Sequence, residues 1–136
     1  MEIKTQEIIR AIRSTREISL PRFGNIEVKE YKSEFAVDAV TEVDQQVEKH
    51  LKAELAKVMP EVSFVGEEFG GDRDSESFWL VDPIDGTGHY IRGIPFCTTM
   101  LALIEDKQVV FSAIYDFVND VVYHAKLGKG AYRDDE

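Results

Sequence analysis

The sequence predicts an α+β fold, helices leading and strands following, and two observations carry that reading. Val43, Val47, Leu51, Leu55 and Val58 recur every three or four residues up to Met59-Pro60, the period of a helix with one apolar face. Beyond Gly93-Ile94-Pro95 the chain turns β-rich, with Thr98 to Ile104, Val109 to Tyr115 and Val121 to Ala125 as strands. Glu105-Asp106-Lys107 and Phe117-Val118-Asn119-Asp120 connect them, and connections this short favour an antiparallel meander. Two N-terminal helices packed on a largely antiparallel sheet follow from this order.

The first helix rests on Ile8, Ile12 and Ile18, with Ile9 alongside; it ends before Pro21 and carries Arg10, Arg13 and Arg16 on other faces. A loop or flap through Gly24 to Asp38 comes next. Thr41 with Asp44 three residues on reads as a capping box with aspartate in place of glutamate, which sets Asp44 in the first turn of the second helix, where the helix dipole favours an acid. With 136 residues there is enough chain for one ordinary core, and no repeat, low-complexity linker or charge block divides it, so residues 1–136 read as a single domain.

The net charge of −10, from 26 Asp+Glu against 16 Lys+Arg, argues against a nucleic-acid polymer as partner and suits a cation-binding protein. Most of this acid, Glu54 and Asp134 included, reads as solvated surface. No apolar run approaches the roughly 20 residues that cross a bilayer. Cys97 is the only cysteine and sits among Phe96, Thr98 and Thr99, so it reads as a buried strand residue, with a reducing cytoplasm as the expected compartment. His50, His89 and His124 form no His-Glu-x-x-His arrangement, which argues against zinc; His50 and His124 read as packing or surface residues, and His89 alone lies near the acidic motif. Trp79 reads as core, its indole N–H in need of a partner.

Two apolar runs end in acids. Val62-Ser63-Phe64-Val65-Gly66 leads into Glu67-Glu68, and Trp79-Leu80-Val81 leads into Asp82-Pro83-Ile84-Asp85-Gly86-Thr87. The proline ring keeps Asp82 extended and aims its carboxylate outward. Asp82 and Asp85 bracket the carbonyl of Ile84, a neutral oxygen between two charged ones, which is a ligand set for a hard divalent cation. Gly86 lets backbone approach a phosphate closely, with the amides of Gly86 and Thr87 facing it. Extended neighbours point to opposite faces, so one of the two glutamates faces the metal, and Glu67 is assigned that place. Two carboxylates about 4 Å apart repel by roughly 4 kcal/mol at an effective dielectric near 20, a cost that bound cations reverse.

Gly66-Glu67-Glu68 followed by Asp82-Pro83-Ile84-Asp85-Gly86-Thr87, with Val40-Thr41-x-x-Asp44 before and Gly128-Lys129-Gly130-Ala131 after, resembles the inositol monophosphatase superfamily, lithium-sensitive and Mg²⁺-dependent phosphomonoesterases. The resemblance runs from about Lys32 to Tyr132. It implies the N-terminal half of the inositol monophosphatase-like αβαβα sugar phosphatase fold, with two or three Mg²⁺ in a complete site. Glu67, Asp82 and the Ile84 carbonyl would hold one ion, and Asp82 with Asp85 a second. Asp85, Gly86 and Thr87 would meet the substrate; Glu67 and the Thr87 hydroxyl would position the nucleophilic water, with Asp44 orienting Thr87. Lys32 matches the lysine of the family's mobile flap.

Two departures accompany the match. Gly88-His89-Tyr90 stands where the family commonly has Thr-Asn-Phe, and the family's Trp-Asp-x-x-x-Gly element does not occur in this sequence. The chain is therefore expected to be the metal-binding half, poorly active alone, with a homodimer as the full-length state. Inositol monophosphate is the leading substrate, and fructose 1,6-bisphosphate, histidinol phosphate and 3′-phosphoadenosine phosphate are alternatives. A non-catalytic metal- or anion-binding domain, or a structural module with accidental acidic turns, are the competing readings.

Overall fold

The computed structural model describes residues 2–25 and 34–136, the side chains of residues 34–41 excepted. In chain order the elements are helices α1 (Thr5–Ser14), α2 (Arg16–Ser19) and α3 (Glu34–Val58), strands β1 (Ser63–Gly66) and β2 (Ser77–Asp85), helix α4 (Thr87–Arg92), and strands β3 (Thr98–Glu105), β4 (Gln108–Asp116), β5 (Val121–Lys126) and β6 (Ala131–Arg133). The strands form one sheet in sequence order, antiparallel throughout except for the parallel pair β1 and β2. None of the described helices is long and apolar enough to cross a membrane.

The single helix expected at the N-terminus is two, broken at Thr15. The Ser14 and Thr15 hydroxyls donate to the carbonyls of Ala11 and Ile12, both at 2.6 Å, competing with the backbone pattern there. Ile8, Ile9 and Ile12 still face the core as their spacing predicts.

Helix α3 corrects the sequence reading at its start. It begins at Glu34, so residues 34–38 belong to a helix and not to a loop, and Thr41 and Asp44 lie well inside it. The capping reading of Asp44 does not hold. Nothing between Glu34 and Val40 stops a helix, since the segment lacks glycine and proline. The apolar stripe is as predicted: Val43, Val47, Leu51 and Leu55 are buried against the sheet, with Val58 packed at their margin. Leu51→Ala is expected to cost about 2–5 kcal/mol, read as a lower urea midpoint at unchanged slope.

Strands β3, β4 and β5 fall within a residue or two of their predicted bounds. Asp106 and Lys107 both adopt positive φ (49° and 64°) and close the two-residue hairpin between Glu105 and Gln108, the geometry that matches strand twist. One face of the sheet, with Trp79, Val81, Leu101, Leu103, Phe111 and Tyr115, packs on α1 and α3. Trp79 is core as expected, yet its indole N–H has no hydrogen-bond partner among the described residues. Leu80, Met100, Ala102 and Ile114 line an open groove of about 400 Å³ on the opposite face. On that side Ile114 is 42% and Tyr123 45% exposed.

Candidate metal and phosphate site

Parallel pairing is what brings the two acidic strand ends together. Strands that run the same way finish side by side, and the register Gly66↔Val81 puts Glu67 next to Asp82. The Glu67 amide donates to the Val81 carbonyl at 3.2 Å, extending the pairing by one residue. Helix α3 packs on β2 and adds Asp44 and, one turn later, Glu48.

The charges show how tightly this end of the fold gathers acid. Burial, followed by repulsion from Glu68, Glu67, Asp82 and Glu48, pushes Asp44 from 3.8 up to about 8. Asp82 is pushed up to about 7, by burial first, then by hydrogen bonding with Glu67 and by repulsion from Glu67, Asp85 and Glu68. Glu68 is also raised, through burial and the nearby Glu48 and Glu67. Oδ1 of Asp44 and Oδ1 of Asp82 are buried with no hydrogen-bond partner among the described residues. Buried polar oxygens rarely stay unsatisfied, and an all-oxygen, anionic donor set is what Mg²⁺ takes. The residues therefore fit a hard divalent cation. Among the described residues no three His, Cys, Asp or Glu side chains are already drawn around one ion-sized point, so the acids are neighbours and not a closed cage.

The Asp82–Asp85 segment is shaped by an irregularity. Pairing with β3 shifts register between Asp82 and Asp85, where Pro83 has no N–H to give to a ladder. Ile84 buries its side chain in the core, while Asp85 is exposed. Gly86 has φ 88° and ψ 42° and caps α4. A Cβ there would lie 2.5 Å from the Phe96 carbonyl oxygen, so both the conformation and the space demand glycine. Thr87, Gly88 and His89 are exposed at the start of α4. Its first amides have no partner within the helix.

The departure at Gly88-His89-Tyr90 has a packing role. Tyr90 is fully buried and donates its hydroxyl to the Ser19 carbonyl at 2.7 Å, tying α4 to α2. His89 meets Phe96 edge-on, centroids 6.1 Å apart. Among the described residues no hydrogen bond joins Asp44 to Thr87, and Asp44 Oδ1 stands unpartnered. Lys32 lies outside the described residues.

The other side chains weighed from sequence have ordinary work. His50 Nε2 pairs with the Ser14 hydroxyl at 2.8 Å, and His124 stacks between Phe111 and Tyr132. Cys97 is buried, and burial with the nearby Asp116 carboxylate pushes its thiol up to about 11, which makes it unreactive. Asp134 is less solvated than expected: it accepts from Arg13 at 2.6 Å and from the Val122 amide.

Sequence reasoning missed Glu48. It is 1% exposed, although a lone helical glutamate reads as solvated surface. A signal was present, because Asp44 and Glu48 stand four apart on one helix face, and like charges at that spacing destabilise a helix unless something else uses them.

Comparison with known proteins gives the family and the fold. Residues 3–136 match the model of the inositol monophosphatase family. Inositol monophosphatase 1 of Homo sapiens is 36% identical over 101 residues, 71% of this chain and 36% of its own length. The Nus factor SuhB of Xylella fastidiosa is 29% identical over 124 residues, 91% of this chain and 45% of its own length. The crystal structure of the extragenic suppressor protein suhB of Bartonella henselae superposes with TM-score 0.80 and 28% identity, covering 97% of this chain and 51% of that one. The chain thus spans about half, or less, of the length of these relatives. With the family model matched over nearly all of its residues, and with the α+β architecture shared with solved members of that fold, this chain belongs to the inositol monophosphatase family.

Proposed function

We propose that this chain carries the metal-binding part of a Mg²⁺-dependent phosphomonoesterase. The observation that supports this most is the gathering of Asp44, Glu67 and Asp82 as neighbours, with buried oxygens on Asp44 and Asp82 that have no partner among the described residues and carboxyl groups pushed up to about 8 and about 7 by burial first and by surrounding acids second. Glu67, Asp82 and the Ile84 carbonyl hold one ion, and Asp82 and Asp85 a second. Bound cations supply charge neutralisation at the phosphoryl group and lower the cost of activating water.

The chain's own residues do the rest. Gly86 and the amides that open α4 seat the phosphate oxygens, and the exposed Thr87 hydroxyl lies at the same place. Glu67 and Thr87 hold the attacking water, Glu67 taking its proton and Asp44 setting the direction of the Thr87 hydroxyl as the site closes on substrate. Inositol monophosphate is the leading substrate, with fructose 1,6-bisphosphate, histidinol phosphate and 3′-phosphoadenosine phosphate sharing the chemistry. A homodimer in a reducing cytoplasm completes the reading, for which the buried, unreactive Cys97 is suitable.

Thermal melts with Mg²⁺, followed by an inositol 1-phosphate assay, test this. Mg²⁺ is expected to stabilise the chain by about 2.7 kcal/mol at 100 times its dissociation constant. Turnover by the chain alone is expected to be slow, and Thr87→Ala should remove it while keeping the Mg²⁺ response. A melting temperature indifferent to Mg²⁺ would sink the reading. Ion binding without any turnover would assign a non-catalytic metal-binding domain instead.

A further inference from the structure

Glu48 is a carboxylate in a poor place for one. It is buried, adds to the repulsion on the nearby Asp44 and Glu68, and has no ion-pair partner among the described residues. What it does have is a fitted seat. Oε1 accepts the Glu68 amide and Oε2 the Phe69 amide, each at 2.9 Å, so both oxygens are spent on successive N–H groups of one turn. That turn is closed by reciprocal bonds, Gly66 N–H to the Gly70 carbonyl at 3.0 Å and Gly70 N–H to the Gly66 carbonyl at 2.9 Å. Gly66 is glycine for the same reason: a Cβ there would fall 2.1 Å from the Glu48 carboxyl carbon. Glu67 is the residue between the glycine that Glu48 packs on and the amides it holds.

We propose that Glu48 is the positioning residue of the metal site, its carboxylate fixing the turn after β1 so that Glu67 faces Asp82. This rests on the metal-site reading above. A charged acceptor on backbone N–H groups makes strong, directional bonds, and through them the turn that carries Glu67 is tied to α3, the helix that also carries Asp44. Groups that orient metal ligands commonly weaken affinity by about 10- to 100-fold when replaced.

Glu48→Gln keeps the shape but leaves one acceptor and turns an NH₂ toward an amide N–H. Calorimetric titration with Mg²⁺ alone is expected to show affinity lowered by about 10- to 100-fold in the folded variant, with faster hydrogen exchange at the Glu68 and Phe69 amides. Glu68→Gln removes a charge from the same cluster but leaves both amides held, and should lose less. In the unaltered chain, saturating Mg²⁺ should slow exchange at those two amides, a readout that holds even if Glu48→Gln does not fold. Equal losses in the two variants, wild-type affinity in Glu48→Gln, or no change at the two amides on Mg²⁺ binding would each overturn the positioning role while leaving the metal site intact. Failure of the unaltered chain to bind Mg²⁺ would overturn both.

Discussion

Asp82→Asn is expected to make the metal-free chain more stable at pH 8 and to abolish its response to Mg²⁺. The two effects share one cause. Asp82 is half-buried beside Glu67 and within reach of Asp85 and Glu68, and its carboxyl is pushed up to about 7 by burial and by these neighbours. At pH 8 it is therefore mostly ionised in surroundings that disfavour the charge. Asparagine has the same outline without the charge and gives Glu67 a donor in place of a repelling oxygen. In a domain of this size a gain of about 1 kcal/mol moves the melting temperature by roughly 3–5 °C. The same substitution removes a ligand assigned to both ions, so Mg²⁺ affinity should fall by more than the roughly 10- to 100-fold typical of losing an outer supporting group. Melts of both chains at pH 8, with and without Mg²⁺, check this; a lower metal-free melting temperature in the variant would show that Asp82 stabilises the fold and does not strain it.

The stability of the metal-free chain should fall as pH rises from 5 to 8, and Mg²⁺ should cancel the fall. Asp44 titrates near 8 and Asp82 near 7 in the folded chain, against 3.8 for an ordinary aspartate. Both bind their protons more tightly folded than unfolded. The stabilisation this gives is complete below pH 3.8 and is lost as pH climbs through about 7 and about 8. A divalent cation favours the ionised forms, so Mg²⁺ affinity should rise over the same interval and binding should release protons. Melting temperatures at unit steps of pH, with and without Mg²⁺, give the curve. Asp44→Asn should flatten its metal-free branch, and an unchanged slope in that variant would exclude Asp44 as a source.

Much of this site was legible in the sequence because its parts are local. Asp82-Pro83-Ile84-Asp85-Gly86-Thr87 is six consecutive residues, and the strain that Gly86 relieves is set by its own turn and the Phe96 backbone that crosses it. The stripe from Val43 to Leu55 was visible through its period, and the connection of β3 to β4 through the short polar run Glu105-Asp106-Lys107, of which Asp106 and Lys107 form the turn. What stayed hidden depends on residues far apart in the chain. The partnership of β1 with β2 places Glu67 beside Asp82, and two short apolar runs carry no mark of whether they pair in parallel. Glu48 was hidden likewise, because its partners are backbone amides about twenty residues on. The start of α3 was misplaced for the opposite reason: Thr41 and Asp44 imitate a local capping signal inside a helix already under way.

The uncovered groove has Glu67 and Asp82 at one end and Leu80, Met100 and Ile114 along its floor. A protein layer laid over that floor and reaching its acidic end would also shield the two carboxylates from water. Shielding lowers the local dielectric, which raises the cost of bare negative charge and strengthens the hold on a cation together. With the ions bound as proposed, covering the apolar floor and loading the ions would be thermodynamically linked: each would make the other more favourable, and ion binding would be weakest when the floor is wet.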